Sequence, residues 1–274
     1  MISNLLQKNP NYPVNNLPKT IQHLIKSLSS GQYLTPELVR QFIIDAKIQA
    51  EDLLPWATYD HPITHSYGRK LVDDGGYFEI MVMSWMPGDF SAIHDHGFTQ
   101  WGAVQSFGKA KHITYSLKNK VLQTRKQMWF KPNQVVTVNH DLIHQMGNPT
   151  DSSFLSLHVY GCNNRYGEIT SNARIFDLFE GTIQYTNGGV FFCLPEGEIS
   201  QRSYNLQGDL TTTLRHHQQM LNRINSILKD PNYWSYQWQL KAELLTNKIQ
   251  EINSLISDNR QYTYSLTTNK SQNE

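Results

Sequence analysis

Two histidines one residue apart, His94 and His96, are the first side chains in the sequence whose type and spacing could do chemistry. If Ile93 to Gly97 is extended, alternate side chains share a face and both imidazoles point the same way. Two imidazoles on one side of a strand make half of a metal site; two ordinary polar residues on a strand edge would look the same in isolation. Fifty residues after His94, the stretch from Asn139 to Asn148 holds two candidates for a third imidazole, His140 and His144. A three-histidine face with no protein carboxylate leaves up to three positions open on an octahedral ion. It suits Fe(II), Zn, Cu or Ni about equally.

A second group is Ser156-Leu157-His158-Val159-Tyr160. On a strand, Ser156, His158 and Tyr160 share one face, and Leu155, Leu157 and Val159 share the other. A hydroxyl, an imidazole and a phenol in a row can form a hydrogen-bond relay; the plain alternative is a polar face turned to water. A third group, Tyr67-Gly68-Arg69-Lys70-Leu71-Val72, precedes the strand that leads to the histidine pair. The Arg69 guanidinium is a two-pronged binder for a carboxylate. Alternatively it pairs on the surface with Asp73 or Asp74.

The elements that must position these groups follow from composition and periodicity. The chain has 274 residues, a net charge of +1, 39% hydrophobic and 11% aromatic residues, which suits one main globular domain with a sizeable core. Near-neutral charge gives no reason to expect nucleic acid or an anionic membrane as partner. Two cysteines are too few for a disulfide framework, the N-terminus is polar, and no apolar run approaches the roughly 20 residues of a membrane helix, so a cytoplasmic protein is expected. Residues 1–16 read as a flexible arm. Leu17 to Leu28 has helical spacing, and a second helix opens at Thr35-Pro36-Glu37, runs through Ala46 and is ended by Pro55. From Tyr67 to about Phe192 short strands alternate with turns: Tyr77–Met86, Trp101–Phe107, Lys111–Leu117, Val135–Asn139, Ser153–Tyr160 and a hairpin at Thr186-Asn187-Gly188-Gly189. Such punctuation predicts a barrel or sandwich spanning residues 17–205 together with the N-terminal helices. Over residues 206–259, Leu210, Leu214, Leu221, Ile224 and Leu228, then Trp238, Ala242, Leu245, Ile249, Ile252 and Ile256, recur every three or four residues. They predict an αα-hairpin extension, a packing appendage able to serve a monomer or a homo-oligomer. Residues 260–274 read as a disordered tail.

Gly88-x5-His94-x-His96 and His144-x3-Asn148 fit the two halves of the cupin metal motif, and the Asn four residues on favours His144 over His140. The carboxylate that many cupins carry shortly after the histidine pair is absent; Trp101 stands in its place. Taken in order, YGRKLVDDGG, IHDH, HQMGN and SLHVY resemble the cysteine dioxygenase type I family of cupin-type thiol dioxygenases, over about Tyr67 to Tyr160, in the manner of a bacterial-type member. The resemblance implies a mainly β fold, a cupin-like small β-barrel with N-terminal helices. It implies one Fe(II) per chain on His94, His96 and His144, with Arg69 binding the substrate carboxylate and Tyr67 lining the pocket. Tyr160 would stand beside thiolate and oxygen, backed by His158 and Ser156.

The implied reaction converts L-cysteine and O2 to cysteine sulfinate. Alternatives are another small thiol (3-mercaptopropionate or mercaptosuccinate), a Zn or Ni cupin with a different substrate, and a non-catalytic metal-binding cupin. Animal members carry, at the position of Trp101, a cysteine cross-linked to the active-site tyrosine. No cysteine lies before Gly161 here, so no such cross-link is expected. Many bacterial members have glycine there. Gly161 to Ser200 and the helical extension lie outside the matched motifs.

Overall fold

A computed structural model describes residues 17–270, with side chains described to Asp258; the arm expected over residues 1–16 lies outside them. Helices α1 (Lys19–Leu28) and α2 (Pro36–Ala46) come first. The Thr35 side chain caps α2 by accepting from Leu38 N, with Pro36 in the first turn. The helix ends well before Pro55: Lys47 turns left-handed (φ 54°), and Pro55 falls inside a separate 3-10 segment, Ala50–Trp56.

Twelve strands follow: β1 Gly68–Asp74, β2 Phe78–Trp85, β3 Trp101–Ser106, β4 Ala110–Lys118, β5 Val121–Phe130, β6 Gln134–Asn139, β7 Ile143–Gly147, β8 Phe154–Gly161, β9 Ala173–Asp177, β10 Thr182–Thr186, β11 Ile199–Tyr204 and β12 Gln207–Gly208. One sheet has the order β1-β2-β8-β3-β6; the others run β12-β5-β4-β7 and β11-β10-β9. His94 bridges to His144 on β7 and to Ile175 on β9, which joins the second and third sheets edge to edge. Met81, Met83 and Val104 of the first sheet meet Phe130, Met146 and Ile175 in one apolar core. The outer face of the first sheet, with Ile80, Val82, Leu155, Leu157 and Val159, packs on Ile21 and Leu24 of α1 and Val39 and Ile43 of α2. This is the small two-sheet β-barrel with N-terminal helices that the motifs imply.

Strand β8 is therefore buried along its whole length. Its apolar face lies under the helices, and its polar face, Ser156, His158 and Tyr160, turns into the barrel rather than to water. Thr186-Asn187-Gly188-Gly189 is not a hairpin turn. β10 pairs with β11 from Thr186 opposite Ile199, and the intervening chain dips inward to bury Val190, Phe191 and Phe192.

The C-terminal αα-hairpin is α3 (Leu210–Leu228) and α4 (Tyr236–Lys270). Asp209 caps α3 by accepting from Thr212 N. The buried face of α3 differs from the leucine seam: Thr212, His216, His217, Met220, Ile224 and Ile227 are inside, while Leu210 is exposed. Met220, Ile224, Ala242 and Leu245 share the cluster of Tyr67, Phe191 and Phe192, so the hairpin completes the core. α4 continues to Lys270, through most of the segment read as a disordered tail. Among the described residues, no helix is long and apolar enough to cross a membrane.

Candidate metal centre

His94 and His144 exchange backbone hydrogen bonds, each N–H donating to the other's carbonyl at 2.9 Å. This pair fixes the stretch carrying His94 and His96 against β7. His144 Nε2 lies 3.1 Å from His94 Nε2 and 3.0 Å from His96 Nε2, and all three residues are buried. Metal–nitrogen bonds of about 2.1 Å at right angles would place neighbouring nitrogens about 3 Å apart, so the triad fits a single ion. Burial, reinforced by their mutual repulsion when charged, holds His96 and His144 far below the usual imidazole range. Burial alone takes His94 down to about 4. All three are neutral donors at physiological pH, as ligation requires.

The far nitrogens of the three imidazoles have different surroundings. His94 Nδ1 is 2.8 Å from the Ala92 carbonyl, to which it donates, leaving Nε2 free for the centre. His144 Nδ1 is 2.8 Å from Nε2 of His112 on β4, a residue the motifs do not mark. His96 Nδ1 has no hydrogen-bond partner among the described residues. His140 stands apart: it is exposed and hydrogen-bonds the Thr99 carbonyl at 2.8 Å. Asp95, between two ligands in sequence, is turned away and ion-paired with Arg174, so it supplies no carboxylate to the centre.

The polar face of β8 is a continuous chain of hydrogen bonds. Trp85 Nε1 is 2.8 Å from Ser156 Oγ, Ser156 Oγ is 2.7 Å from His158 Nε2, and His158 Nδ1 is 2.8 Å from the Tyr160 hydroxyl. Burial lowers His158 to about 3 and pushes the Tyr160 phenol far above its ordinary value. Both stay uncharged.

Beside the histidines lies a cavity of about 20 Å³, bordered by Arg69, Met83, His96, Tyr160, Thr170 and Gly188 among others. Arg69 Nη2 donates to Thr170 Oγ1 at 3.3 Å, and that hydroxyl donates to buried Glu79 at 2.9 Å. Gly188 has φ +95°, and a Cβ there would lie 2.7 Å from Thr170 Oγ1 and 3.3 Å from Arg69 Nη2. Glycine is therefore the residue that fits this backbone beside Thr170 and Arg69. Thr170 and Glu79 lie outside the recognisable motifs, and nothing in their local sequence marks them; Gly188 is marked only as a turn residue. Tyr67, raised to about 12 by burial, stacks on Trp85 at 4.7 Å. It stands behind the relay rather than bordering the cavity.

Trp101 does not shape the cavity. Strand alternation sends its ring into the cluster beneath the helices, packed over Gly161. Gly102 is the residue opposite Tyr160 in the β3–β8 pairing. A Cβ on Gly102 would lie 2.6 Å from the Val159 carbonyl and 2.8 Å from Tyr160 Cδ1.

The C-terminal hairpin reaches toward this region. Arg223 of α3 donates to the carbonyls of Ile63 and His65, just before Tyr67. The His65 ring stacks on Phe191 at 4.3 Å, and Phe191 tilts onto Tyr67 at 4.8 Å.

Residues 13–166 match the family model described as Cysteine dioxygenase type I. The chain is similar to cysteine dioxygenase type 1 of Danio rerio, 28% identical over 153 residues, covering 52% of this chain and 75% of that protein. The Homo sapiens protein of the same name is 28% identical over 152 residues, covering 52% and 74%. Among solved structures, a conserved protein with a double-stranded β-helix domain from Klebsiella pneumoniae is 15% identical with a TM-score of 0.32, covering 43% of this chain and 92% of that one.

Proposed function

The chain belongs to the cysteine dioxygenase type I family and is a thiol dioxygenase, and from that premise we propose that it oxidises L-cysteine with O2 to cysteine sulfinate on one Fe(II) held by His94, His96 and His144. The observation that carries this reading is the convergence of the three Nε2 atoms beside a cavity bordered by one guanidinium and one phenol. In the overall reaction R–SH and O2 give R–SO2H, so both oxygen atoms end on sulfur and no other reductant is consumed.

When bound, Fe(II) supplies open coordination positions and a redox centre at which thiolate and O2 meet. The rest falls to the protein's side chains. Arg69 holds the substrate carboxylate through a charge-assisted pair and so fixes which end of the thiol faces the histidines. Its orientation rests on Thr170 and Glu79. Met81, Met83 and Val190 line the same cavity and limit water there. The relay determines what Tyr160 offers. An indole N–H only donates, so Ser156 Oγ accepts from Trp85; among the described residues the partner then left for the buried hydroxyl proton is His158 Nε2, and donating to it satisfies both groups. His158 then carries its proton on Nδ1 and donates to the Tyr160 oxygen. The Tyr160 hydroxyl proton is left free to point at substrate. One cation and one hydroxyl donor beside the histidines favour a thiol bearing a carboxylate.

The test is oxygen uptake by the iron-loaded protein with L-cysteine, 3-mercaptopropionate, cysteamine and mercaptosuccinate, with products identified by mass spectrometry. L-Cysteine should give the highest kcat/KM, with one sulfinate formed per O2. Faster turnover of another thiol would displace L-cysteine as the substrate. No uptake with any thiol would overturn the catalytic reading.

A further inference from the structure

We propose that His112, which lies outside every recognisable motif, is a positioning residue of the metal centre: its Nε2 accepts the Nδ1 proton of His144 and thereby holds His144 in the one tautomer able to bind a metal. The proposal rests on the reading of His94, His96 and His144 as the ligand set.

His112 is on β4, where it pairs with Met146, while His144 lies opposite Thr114 in the same ladder. Its ring is buried, tilted against Phe130 at a centroid distance of 4.5 Å, and crosses the His144 ring nearly edge-on at 5.0 Å. The contact between the two imidazoles is short, 2.8 Å from Nε2 of His112 to Nδ1 of His144. A hydrogen bond between two neutral imidazoles needs one donor and one acceptor, so the pair has two arrangements. In one, His144 carries its proton on Nδ1 and His112 accepts it; His144 Nε2 then presents a lone pair to the centre. In the other, His112 donates from Nε2 and His144 must carry its proton on Nε2. That proton would point straight at His94 and His96, whose Nε2 atoms lie 3.1 and 3.0 Å away, and the third ligand would be lost. The tautomer of His112 thus decides whether the triad is complete.

His94 obtains the same service from a backbone carbonyl, which no substitution can remove. His144 depends on a side chain: His112 Nε2 makes that one contact, while His112 Nδ1, which carries the proton in this arrangement, has no hydrogen-bond partner among the described residues. Outer hydrogen-bond partners of metal-bound histidines typically carry 10–100-fold of metal affinity, which sets the size of the effect to look for.

The experiment measures the affinity of the metal-free protein for Fe(II) and Co(II) by chelator competition, in the wild type, His112→Phe and His112→Gln. Phe keeps a ring beside Phe130 and removes the acceptor; Gln restores an acceptor oxygen. The expected result is a loss of about 10–100-fold for His112→Phe, largely recovered in His112→Gln, with metal-free melting temperatures close to wild type. Wild-type affinity in His112→Phe would overturn the proposal while leaving the ligand set intact. Absence of metal binding by the wild type would overturn the ligand set and this proposal together. A measurement independent of any variant is the imidazole 15N spectrum of the Zn-loaded wild type. His112 should be protonated at Nδ1 and bare at Nε2, and the opposite pattern would refute the assignment even if His112→Phe does not fold.

Discussion

The indole nitrogen of Trp85 and the hydroxyl of Ser156 stand 2.8 Å apart, so the indole fills one lone pair of Ser156 and leaves its buried hydroxyl proton to His158 Nε2, which gives the relay its direction. Removing the donor in Trp85→Phe keeps an aromatic ring under Tyr67 and frees Ser156 to turn around. The hydrogen bond is worth about 0.5–1.5 kcal/mol, so kcat should fall about 2- to 10-fold while bound iron stays at the wild-type level. A variant with unchanged kcat would show that the direction of the relay does not matter to turnover.

Ligand identity separates two histidines four residues apart. Alanine at His94, His96 or His144 should each remove most bound iron, measured by metal analysis after dialysis. His140→Ala should keep it, because that imidazole is exposed and bonded to a loop carbonyl. Iron loss in His140→Ala with retention in His144→Ala would reassign the third ligand.

In the proposed reaction, substrate choice rests on the Arg69 guanidinium. Family members that prefer 3-mercaptopropionate resemble this pattern but carry glutamine at the position of Arg69. A buried charge-assisted pair is worth roughly 1.5–3 kcal/mol, so Arg69→Gln should lower kcat/KM for L-cysteine by at least about tenfold, and less for 3-mercaptopropionate, with iron retained. Equal losses for both thiols would mean that Arg69 does not discriminate between them.

A methyl group at Gly102 has nowhere to go, because its neighbours are a backbone carbonyl and the Tyr160 ring. Gly102→Ala should cost about 1–3 kcal/mol of stability in denaturant unfolding and depress turnover by displacing the phenol. Wild-type stability and kcat together would show that β3 and β8 separate there without penalty.

Acid should destabilise the metal-free protein through groups outside the centre as well. His216 on α3 is buried among Phe192, His217 and Asp177. Burial, with Lys241 second, takes it down to about 3. An unfolded histidine titrates near 6.5, so below that pH the unfolded chain binds a proton that the folded chain refuses. Stability is fully present above about pH 6.5 and falls as pH drops toward 3, by up to about 1.4 kcal/mol per pH unit for this one residue. Urea unfolding of metal-free wild type and His216→Gln at several pH values should show a shallower slope in the variant. Identical slopes would mean His216 is protonated in the folded state.

Much of the fold and site is legible in the sequence because it is local. The cap at Thr35, the alternation of Ser156, His158 and Tyr160, and the spacing from His94 to His96 are all written within a few residues. What escaped is set by tertiary contact. His112, Trp85, Glu79 and Thr170 become functional neighbours only through strand pairing and loop placement, and their local sequence is ordinary. Trp101 shows the reverse error: its position relative to the histidine pair implies a place beside Tyr160, but the β3 register turns it outward and brings Gly102 there instead. Gly188 of the expected turn does carry a positive φ, yet it serves a close approach to Thr170 and Arg69 rather than a hairpin.

The bridges from His94 to His144 and Ile175 also impose an order on folding. The strand pairs β1–β2 and β4–β5 join segments close in the chain and can form while later residues are still being synthesised. His94 must wait for partners far downstream, and the wall behind Tyr67 waits longer still, for Met220, Arg223 and Ile224. Candidate ligands encoded early are thus held in place by residues encoded late. An emerging chain carries three histidines long before it holds the pocket they line, and on the proposed reading metal capture becomes a mark of the finished molecule.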